Sequence, residues 1–315
     1  MRTPTRVLTI LALSALVAAC TSAGASPSVA PSTAPSVGPS TAASVAPSAS
    51  PTPDACAKDN LSVVTAGTFT IGTDNPAYPP YFLENDGGTK TDPWELGDPT
   101  NGNGFESAVG YAIADRLGFT KAEVTWVVVP FANSFAPGPK AFDIDLNQVS
   151  FKPERAQTAD LSDGYYFGNQ SLVALKSSPV AKVTSIAALK DFVFGAQVGT
   201  TSYDAITSLI APSKDPQVFD TNDAAIEAVK NGTIDGVVVD LPTADFITNV
   251  QLEDSAIVGQ FDGGTPEYFS AVLTKDSPLT ACVNTAIKSL TDDGTLATLA
   301  SKWLPFQDAV PVFQP

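Results

Sequence analysis

The sequence predicts an α/β protein with two lobes, in which mostly parallel sheets are flanked by helices. Short apolar runs alternate with segments in which apolar residues recur at helical spacing, and this alternation is typical of sheets covered by helices on both faces. The chain of 315 residues is longer than one compact domain usually is. Its hydrophobic content of 43% is sufficient for a core in each lobe.

The elements are predicted in order along the chain. Residues 69–71 alternate apolar and polar side chains, as a half-buried strand does. Phe105, Val109 and Ile113 lie at helical spacing, and Gly118 ends that helix. Apolar runs predict further strands at 124–129, 143–146, 192–196 and 236–240, while helices are predicted from 199–201 onward, at 224–230, and at 277–303 with a break at 293–294.

Charge and composition exclude several classes of protein. The chain carries 33 acidic and 17 basic residues, a formal net charge of −16. A nucleic-acid-binding protein needs a basic face to displace counterions from phosphate, so this class is excluded, as is a polybasic membrane-surface protein. There are no histidines, which excludes Ser-His-Asp and Cys-His catalysis and every His-ligated metal site. We expect no metal and no cofactor.

Residues 1–20 predict an export signal. Arg2 and Arg6 precede an apolar run at 7–19, which is too short for an ordinary membrane span. Small residues stand directly before Cys20, as in the lipobox of bacterial lipoproteins, whose cysteine is acylated and becomes the new N-terminus. The alternative is an ordinary signal peptide cut near Ala18 or Ala19, with Cys20 incidental.

Residues 21–53 predict a disordered tether. The segment contains no charged residue and consists of Ala, Ser, Pro, Thr, Val and Gly, with an eight-residue repeat starting at Pro27 and again at Pro35. Such a composition cannot form a core and stays solvated. It therefore predicts a stalk between a membrane and the folded part of the chain.

Cys56 and Cys282 form an even pair once Cys20 is assigned to lipidation. In an exported protein such a pair predicts a disulfide. It would join the start of the folded region to its last helical segment. The alternative is two unpaired thiols.

Polar residues follow the predicted strands at their carboxyl ends. Asp74, Asn147, Gly199 and Asp240 all occupy such positions. Ligands of open α/β sheets bind outside the carboxyl ends of strands. Each residue alone could be a cap or a turn residue, but together they predict a cleft.

Seven short motifs together resemble the extracellular solute-binding proteins of ATP-binding-cassette importers, family 3, in particular the polar amino-acid-binding group. The resemblance covers residues 67–303. The motifs, in order, are GTDNPAYPPY at 72–81, GFE at 104–106, SFKPER at 150–155, LSDGYY at 161–166, QVGTT at 197–201, VD at 239–240, and DGTL at 293–296 followed by KW at 302–303.

The resemblance implies the periplasmic-binding-protein type II fold, with two hinged lobes that close over one ligand. Lobe 1 would comprise residues 54–168 and a return segment at 267–315, and lobe 2 residues 169–266. Crossing segments near residues 167–169 and 265–268 would form the hinge, and closure around a ligand follows from such a geometry.

A free amino acid brings a carboxylate and an ammonium, and each is costly to desolvate unless it is paired. Arg155 offers a planar fork that matches the carboxylate, helped by Ser150 and the backbone amides around Gln148 and Thr201. Asp240 would take the ammonium. The other expected ligand-binding residues are Tyr78 and Phe131 beside the ligand side chain, Asp74, Asn147 and Gln197 facing it, and Thr200 with Thr201 at the start of a helix.

Alternatives remain for several of these residues. Arg155 could be an ion-pair partner of Glu154 or Asp160, and Asp240 could cap a strand end. We assign Glu106 to the N-terminus of its helix rather than to the site. A Gly-, Asp- and Pro-rich stretch at 85–103, longer than the family usually carries, could line the cleft with Trp94 or cover it.

The function predicted from these residues is a receptor rather than an enzyme. It would be lipid-anchored at the extracellular face of the membrane through Cys20, would bind a free polar or charged amino acid, and would deliver it to an ATP-binding-cassette permease. One alternative is a cyclohexadienyl-dehydratase-like enzyme with Asp74 or Glu106 as general acid or base. Another is a ligand-sensing module that does not serve transport.

Overall fold

The computed structural model describes residues 54–262, 267–305 and 310–315. The predicted signal segment, the tether and Cys20 lie outside these residues. Within the described ranges, the strands are β1 Phe69–Thr73, β2 Val124–Val128, β3 Ile144–Asp145, β4 Ala159–Gly168, β5 Gln170–Leu175, β6 Phe194–Gln197, β7 Gln217–Phe219, β8 Gly236–Asp240, β9 Ser255–Phe261 and β10 Glu267–Thr274.

The α-helices in the described ranges are α1 Phe105–Arg116, α2 Phe131–Ser134, α3 Thr201–Ala205, α4 Asn222–Lys230, α5 Leu241–Phe246, α6 Thr280–Asp292 and α7 Thr295–Trp303. Five of these seven lie within a few residues of predicted positions, whereas α2 and α5 were not predicted. Helices α3 and α5 each continue into a wider π-type turn, at Ile206–Ile210 and Ile247–Gln251. Short 3-10 turns occur at Lys58–Asn60, Pro99–Asn101, Lys121–Glu123, Arg155–Gln157, Pro179–Lys182 and Ile186–Leu189.

Two five-stranded mixed sheets form the framework, in the orders β2-β1-β3-β10-β4 and β7-β6-β8-β5-β9. In each sheet, three neighbouring strands pair in parallel and the other two join them antiparallel. The predicted two-lobed α/β architecture is confirmed. The antiparallel half of each sheet consists of the strands that run into and out of the crossings between the lobes.

We call the part built on the first sheet lobe 1 (residues 54–168 and 267–305) and the part built on the second sheet lobe 2 (residues 169–262 and 310–315). The chain passes from lobe 1 to lobe 2 at Asn169, between β4 and β5, and returns between β9 and β10. Part of the second predicted hinge, residues 265 and 266, lies outside the described residues.

The core of lobe 1 lies between its sheet and helices α1, α6 and α7. Helix α1 places Phe105, Val109 and Ile113 toward the sheet, and all three are fully buried. These residues are four apart, so they share one face of the helix. The disulfide Cys56–Cys282 links the first described residues to α6, as predicted.

The sheet of lobe 2 is covered by hydrophobic side chains on both faces. In β8, Val238 belongs to one hydrophobic cluster, whereas Val237 and Val239 belong to the cluster on the opposite face. Because successive strand residues point to opposite faces, a strand that is apolar throughout is one covered on both sides. The acid that ends this strand, Asp240, therefore emerges from an apolar environment.

The last six residues correct one expectation. We expected residues 267–315 to return entirely to lobe 1, but residues 310–315 pack on lobe 2. Phe313 is buried in its core, and its N–H donates to the carbonyl of Gln260. A Cβ built on Gly259 would lie 2.9 Å from the Phe313 ring, so the glycine makes room for this contact. The chain thus crosses between the lobes again after α7.

The stretch at 85–103 packs onto lobe 1. Trp94 is 5% exposed and belongs to the lobe 1 core, so the possibility that it lines the cleft is wrong. Gly97 lies against neighbouring backbone, since a Cβ there would be 2.4 Å from the Phe82 carbonyl oxygen. Asp98 is buried and accepts hydrogen bonds from the N–H groups of Thr100 and Thr91.

Candidate functional site

A cavity lies between the two lobes, at the carboxyl ends of the strands. It contains about 620 Å³ of atom-free space, part of which is open to solvent. All eleven residues predicted to bind the ligand line it. The lining consists of Thr73, Asp74, Pro76, Ala77, Tyr78, Phe82, Phe131, Asn147, Gln148, Ser150, Arg155, Gln197, Thr200, Thr201, Asn222, Asp240 and Thr243.

Arg155 lies at the bottom of the cavity and is only 5% exposed. Its Nη1 donates to the Ser150 carbonyl oxygen at 2.6 Å, and its Nη2 donates to the Gly199 carbonyl oxygen at 2.9 Å. The guanidinium also stacks over the ring of Phe135 at 4.5 Å and that of Phe131 at 5.4 Å. Burial lowers the pKa of Arg155 to about 10, against the opposing effect of nearby carboxylates, so the group is a cation at neutral pH.

The alternative role for Arg155 does not hold. Asp160 accepts instead from Lys275 Nζ at 3.2 Å and from the Thr280 hydroxyl at 2.7 Å. The polar contacts of the guanidinium within the described residues are two neutral carbonyl oxygens. A buried cation with this environment favours a further anion in the cavity.

Asp240 stands on the lobe 2 side of the cavity, as the last residue of β8. Its Oδ1 accepts a hydrogen bond from Gln170 Nε2 at 2.7 Å. Burial raises the pKa of Asp240 well above its usual range, and repulsion from Glu267 raises it further, while Gln170 and Arg155 oppose the rise. A ligand ammonium would favour the charged carboxylate.

Asp74 directly follows β1 and presents a carboxylate without a cationic partner among the described residues. Its oxygens accept from the backbone N–H of Asn75 at 2.8 Å and of Phe131 at 3.3 Å. Burial raises the pKa of Asp74, and these two hydrogen bonds act against the rise. The group is therefore oriented by backbone donors but not neutralised by them.

Tyr78 lies at the rim of the cavity on lobe 1. Its hydroxyl donates to Asp223 Oδ2 of lobe 2 at 2.8 Å, and its ring contacts that of Phe246 at a centroid distance of 6.3 Å. Burial and the neighbouring acid raise its pKa, so the hydroxyl stays protonated. Tyr78 thus contacts lobe 2 as well as lining the cavity.

Gln148 and Glu106 correct two sequence-based assignments. The N–H of Gln148, expected to be available to a ligand, donates to Glu106 Oε1 at 2.9 Å, and the Gln148 side-chain amide binds the other oxygen. Tyr165 donates to the same carboxylate at 2.5 Å. Glu106 is fully buried and makes these contacts rather than capping its helix. Burial raises the pKa of Glu106 to about 7.

The remaining predicted residues lie around the α3 end of the cavity and its floor. Thr200 caps α3, since its hydroxyl accepts from the Tyr203 N–H at 3.3 Å, and it donates to the Gln197 carbonyl oxygen at 2.8 Å. The hydroxyls of Ser150 and Thr201 both donate to Glu267. Asn147 is buried, and its side-chain amide donates to the Val129 carbonyl oxygen at 3.2 Å.

The two lobes touch across the cleft, so the structure is a closed form. Besides Arg155 with Gly199 and Tyr78 with Asp223, Lys152 of lobe 1 forms a 2.5 Å ion pair with Asp204 of lobe 2. A ligand in the cavity would therefore be held from both sides.

Sequence reasoning missed several lining residues. Asn222 and Thr243 lie in the first turns of α4 and α5, each three positions after the last residue of a strand. The strand-end rule that pointed to Asp240 could have found both. Glu267 does not line the cavity but accepts from the hydroxyls of Ser150 and Thr201, which do; it carried no such signal, because it stands at the start of β10 rather than at a carboxyl end.

Neither a metal centre nor a membrane span is found in the described part of the chain. No group of three or more His, Cys, Asp or Glu side chains is arranged there to hold a metal ion. None of the helices in these ranges combines the length and the apolar character needed to cross a bilayer.

Comparison with known proteins decides the family. The profile of the bacterial extracellular solute-binding proteins, family 3, matches residues 69–306. The chain belongs to this family. The resemblance found from the seven sequence motifs is thereby confirmed, and the matched region includes most of both lobes and every residue predicted to bind the ligand.

Relatives of this solute-binding protein include amino-acid-binding proteins. The arginine-binding extracellular protein ArtP of Bacillus subtilis is 29% identical over 225 residues, covering 69% of this chain and 84% of that protein. A probable histidine-binding protein of Campylobacter jejuni is 26% identical over 243 residues, covering 76% of this chain and 86% of the relative.

A solved structure of similar fold is that of the ancestral amino acid-binding protein AncCDT-1, described as a precursor of cyclohexadienyl dehydratase. It has a TM-score of 0.58 and 27% identity, and the match covers 75% of this chain and 95% of the other.

Proposed function

We propose that this solute-binding protein is an extracellular receptor that closes over one free amino acid, with a preference for a cationic side chain. The observation that carries the proposal is the placement of charge around one cavity. Arg155 lies on the lobe 1 side, Asp240 on the lobe 2 side, and Asp74 on lobe 1 beside Tyr78.

The charge count favours a cationic side chain. The α-carboxylate would pair with Arg155 and the α-ammonium with Asp240, since each charge is costly to bury alone. Asp74 is then left as a carboxylate with no cation to balance it among the described residues. A guanidinium or ammonium at the end of the ligand side chain would supply that charge. The names of the two relatives, arginine-binding and probable histidine-binding, agree with this choice.

Of the two acids considered for catalysis, Glu106 is excluded by its surroundings, whereas Asp74 lines the cavity and is assigned here to the ligand side chain. Glu106 has a raised pKa suited to a general acid, but it does not line the cavity. Its carboxylate accepts from Gln148 and Tyr165 instead. A general acid must reach the reacting group within hydrogen-bond distance, and Glu106 is not placed to do so.

Closure by the ligand also fits the geometry. Arg155 and Asp240 belong to different lobes, so an amino acid that contacts both has greater affinity for the closed form. Any ligand-driven closure requires such a difference in affinity. We further propose that the closed form delivers its ligand to an ATP-binding-cassette permease, and that the chain is anchored to the outer face of the membrane by acylated Cys20 with residues 21–53 as tether.

The substrate class can be tested by calorimetry with L-arginine and L-citrulline, which have similar shape but differ in side-chain charge. We expect the wild type to bind arginine at least about tenfold more tightly than citrulline, because the ion pair with Asp74 contributes roughly 1.5 kcal/mol or more. Asp74→Asn should lose most of that preference. Asp115→Asn, an exposed acid on α1, serves as the matched control. Equal binding of the two ligands by the wild type would contradict the cationic preference.

The anchor and the permease can be tested in cells. Cys20→Ala should move the protein from the membrane fraction to the medium or soluble fraction, while its arginine binding stays unchanged. Deletion of the chain should lower uptake of radiolabelled arginine, and wild type but not Arg155→Ala should restore it. Membrane retention of Cys20→Ala would exclude anchoring by lipidation at this cysteine.

A further inference from the structure

Glu267 lies behind the cavity, at the second crossing between the lobes. It is the first residue of β10, and its backbone is paired with Gly168, the last residue of β4 before the first crossing. The Ser150 hydroxyl of lobe 1 and the Thr201 hydroxyl of lobe 2 donate to its Oε1. Gln170 Nε2 of lobe 2 donates to its Oε2 at 3.0 Å. One carboxylate thus binds side chains of both lobes.

Gln170 connects this carboxylate to Asp240. Its Nε2 also donates to Asp240 Oδ1 at 2.7 Å, so one amide nitrogen lies between two acids. The orientation of the amide is fixed from the other side, because its oxygen accepts from the Ser202 hydroxyl at 2.7 Å. Gln170 is 4% exposed. Because the amide is buried and both its nitrogen and its oxygen are hydrogen-bonded, it has little freedom to turn.

Arg155 is the cation that acts on both Glu267 and Asp240. Burial lowers the pKa of Arg155, and Glu267 and Asp240 are the two largest opposing influences. Tyr166 is also close to both acids and Tyr81 to Asp240. Burial, together with these acids, raises the pKa of both phenols, so they remain neutral. Repulsion from Glu267 is second only to burial in raising the pKa of Asp240.

We propose that Glu267 is a positioning residue of the amino-acid site, which holds Ser150, Thr201 and Gln170 in one network across the two lobes and thereby orients Asp240 toward the ligand. The inference rests on the proposed function, because it assigns Asp240 to the ligand ammonium. Glu267 does not line the cavity, so it acts through the residues that do. Two of its three contacts also fix the hydroxyls of Ser150 and Thr201, which line the cavity.

Two substitutions separate the charge of Glu267 from its hydrogen bonds. Glu267→Gln keeps an oxygen that accepts from Ser150 and Thr201, but it removes the negative charge and places an NH2 group opposite Gln170 Nε2, which then loses its acceptor. Glu267→Ala removes both. The test measures L-arginine binding by calorimetry from about pH 4 to pH 9, with Glu253→Gln and Glu253→Ala, at an exposed acid of lobe 2, as controls.

At about pH 8, we expect Glu267→Ala to weaken arginine binding by about tenfold or more and Glu267→Gln to weaken it less, since only the former leaves two hydroxyls and an amide without their acceptor. Affinity should fall at low pH as Asp240 gains a proton. Loss of the neighbouring negative charge favours ionised Asp240, so this acid limb should move to lower pH in both variants. Unchanged affinity and an unmoved acid limb in both variants would overturn the proposal.

A ligand-free measurement separates failure of this inference from failure of the proposed function. The Asp240 carboxyl carbon can be followed by NMR during an acid titration of the full chain labelled with ¹³C-aspartate. Its midpoint should lie at lower pH in Glu267→Gln than in the wild type. If the wild type binds no amino acid, the proposed function fails, but this titration still decides whether Glu267 acts on Asp240. A midpoint that is the same in Glu267→Gln and in the wild type would refute the proposed role of Glu267.

Discussion

Replacement of Arg155 tests the most consequential assignment in the cavity. Arg155→Ala removes a buried cation, and any ligand carboxylate that enters the closed cavity then lacks its partner. Arg155→Lys keeps the positive charge but loses the planar fork that donates two parallel hydrogen bonds. The two variants therefore separate the contribution of charge from that of geometry.

The expected magnitude follows from the contacts. In the wild type, Nη1 and Nη2 each donate to a carbonyl oxygen, at 2.6 and 2.9 Å, which holds the guanidinium in place before a ligand arrives. Truncation of one partner of a buried, hydrogen-bonded charge pair costs about 2–5 kcal/mol. We therefore expect Arg155→Ala to weaken amino-acid binding by about 3 kcal/mol, which is on the order of 100-fold. Arg155→Lys should fall between Arg155→Ala and the wild type.

Calorimetry with L-arginine measures the effect directly, and far-UV circular dichroism checks that each variant is folded. Arg116→Ala is the matched control, because Arg116 lies on the outer side of α1, in an ion pair with Asp293 at 2.5 Å. It should bind as the wild type does. Folded Arg155→Ala that binds within about twofold of the wild type would refute the carboxylate assignment, since no buried ion pair is lost at so small a cost.

Two further predictions concern stability. Cys282→Ser should lower the free energy of unfolding, because the Cys56–Cys282 bridge spans 226 residues and constrains the unfolded chain. Loop entropy gives about 5 kcal/mol as the largest expected loss, and the loss of a native disulfide typically costs about 2–5 kcal/mol. Urea denaturation should show this loss, and an unchanged midpoint in non-reducing buffer would contradict it. Glu106 has a native pKa raised to about 7 from 4.5, so the native state retains a proton that the unfolded chain releases. Stability should therefore decline as pH rises from about 4.5 to 7, by at most about 1.4 kcal/mol per pH unit from this group, and Glu106→Gln should flatten the decline; an equally steep decline in Glu106→Gln would rule this out.

Several parts of the site could be predicted because they depend on local sequence. Strand ends are visible where an apolar run stops at a polar residue, and this placed Asp74 and Asp240 correctly. Arg155 was found from the short motif at 150–155, and Thr200 from its position at the start of a helix, so both also depend on local sequence. All four residues line the cavity.

Other strands could not be read from periodicity. Strand β4 alternates irregularly between buried and exposed positions, and its pairing with β10 shifts register between Phe269 and Ser270 and again before Val272. Bulges of this kind break the period of two on which strand prediction relies. The antiparallel half of the lobe 1 sheet was therefore absent from the sequence-based description.

By itself, the sequence was enough to predict the fold class, the family, the pairing of Cys56 with Cys282 and eleven of the residues that line the cleft. Only the tertiary structure decided what those residues contact. Glu106 reaches Gln148 across 42 positions and Glu267 reaches Ser150 across 117, while residues 310–315 return to lobe 2. The physical reason is that backbone preferences act over a few neighbouring residues, whereas a buried carboxylate takes its partners from whatever chain segments the packed core brings beside it.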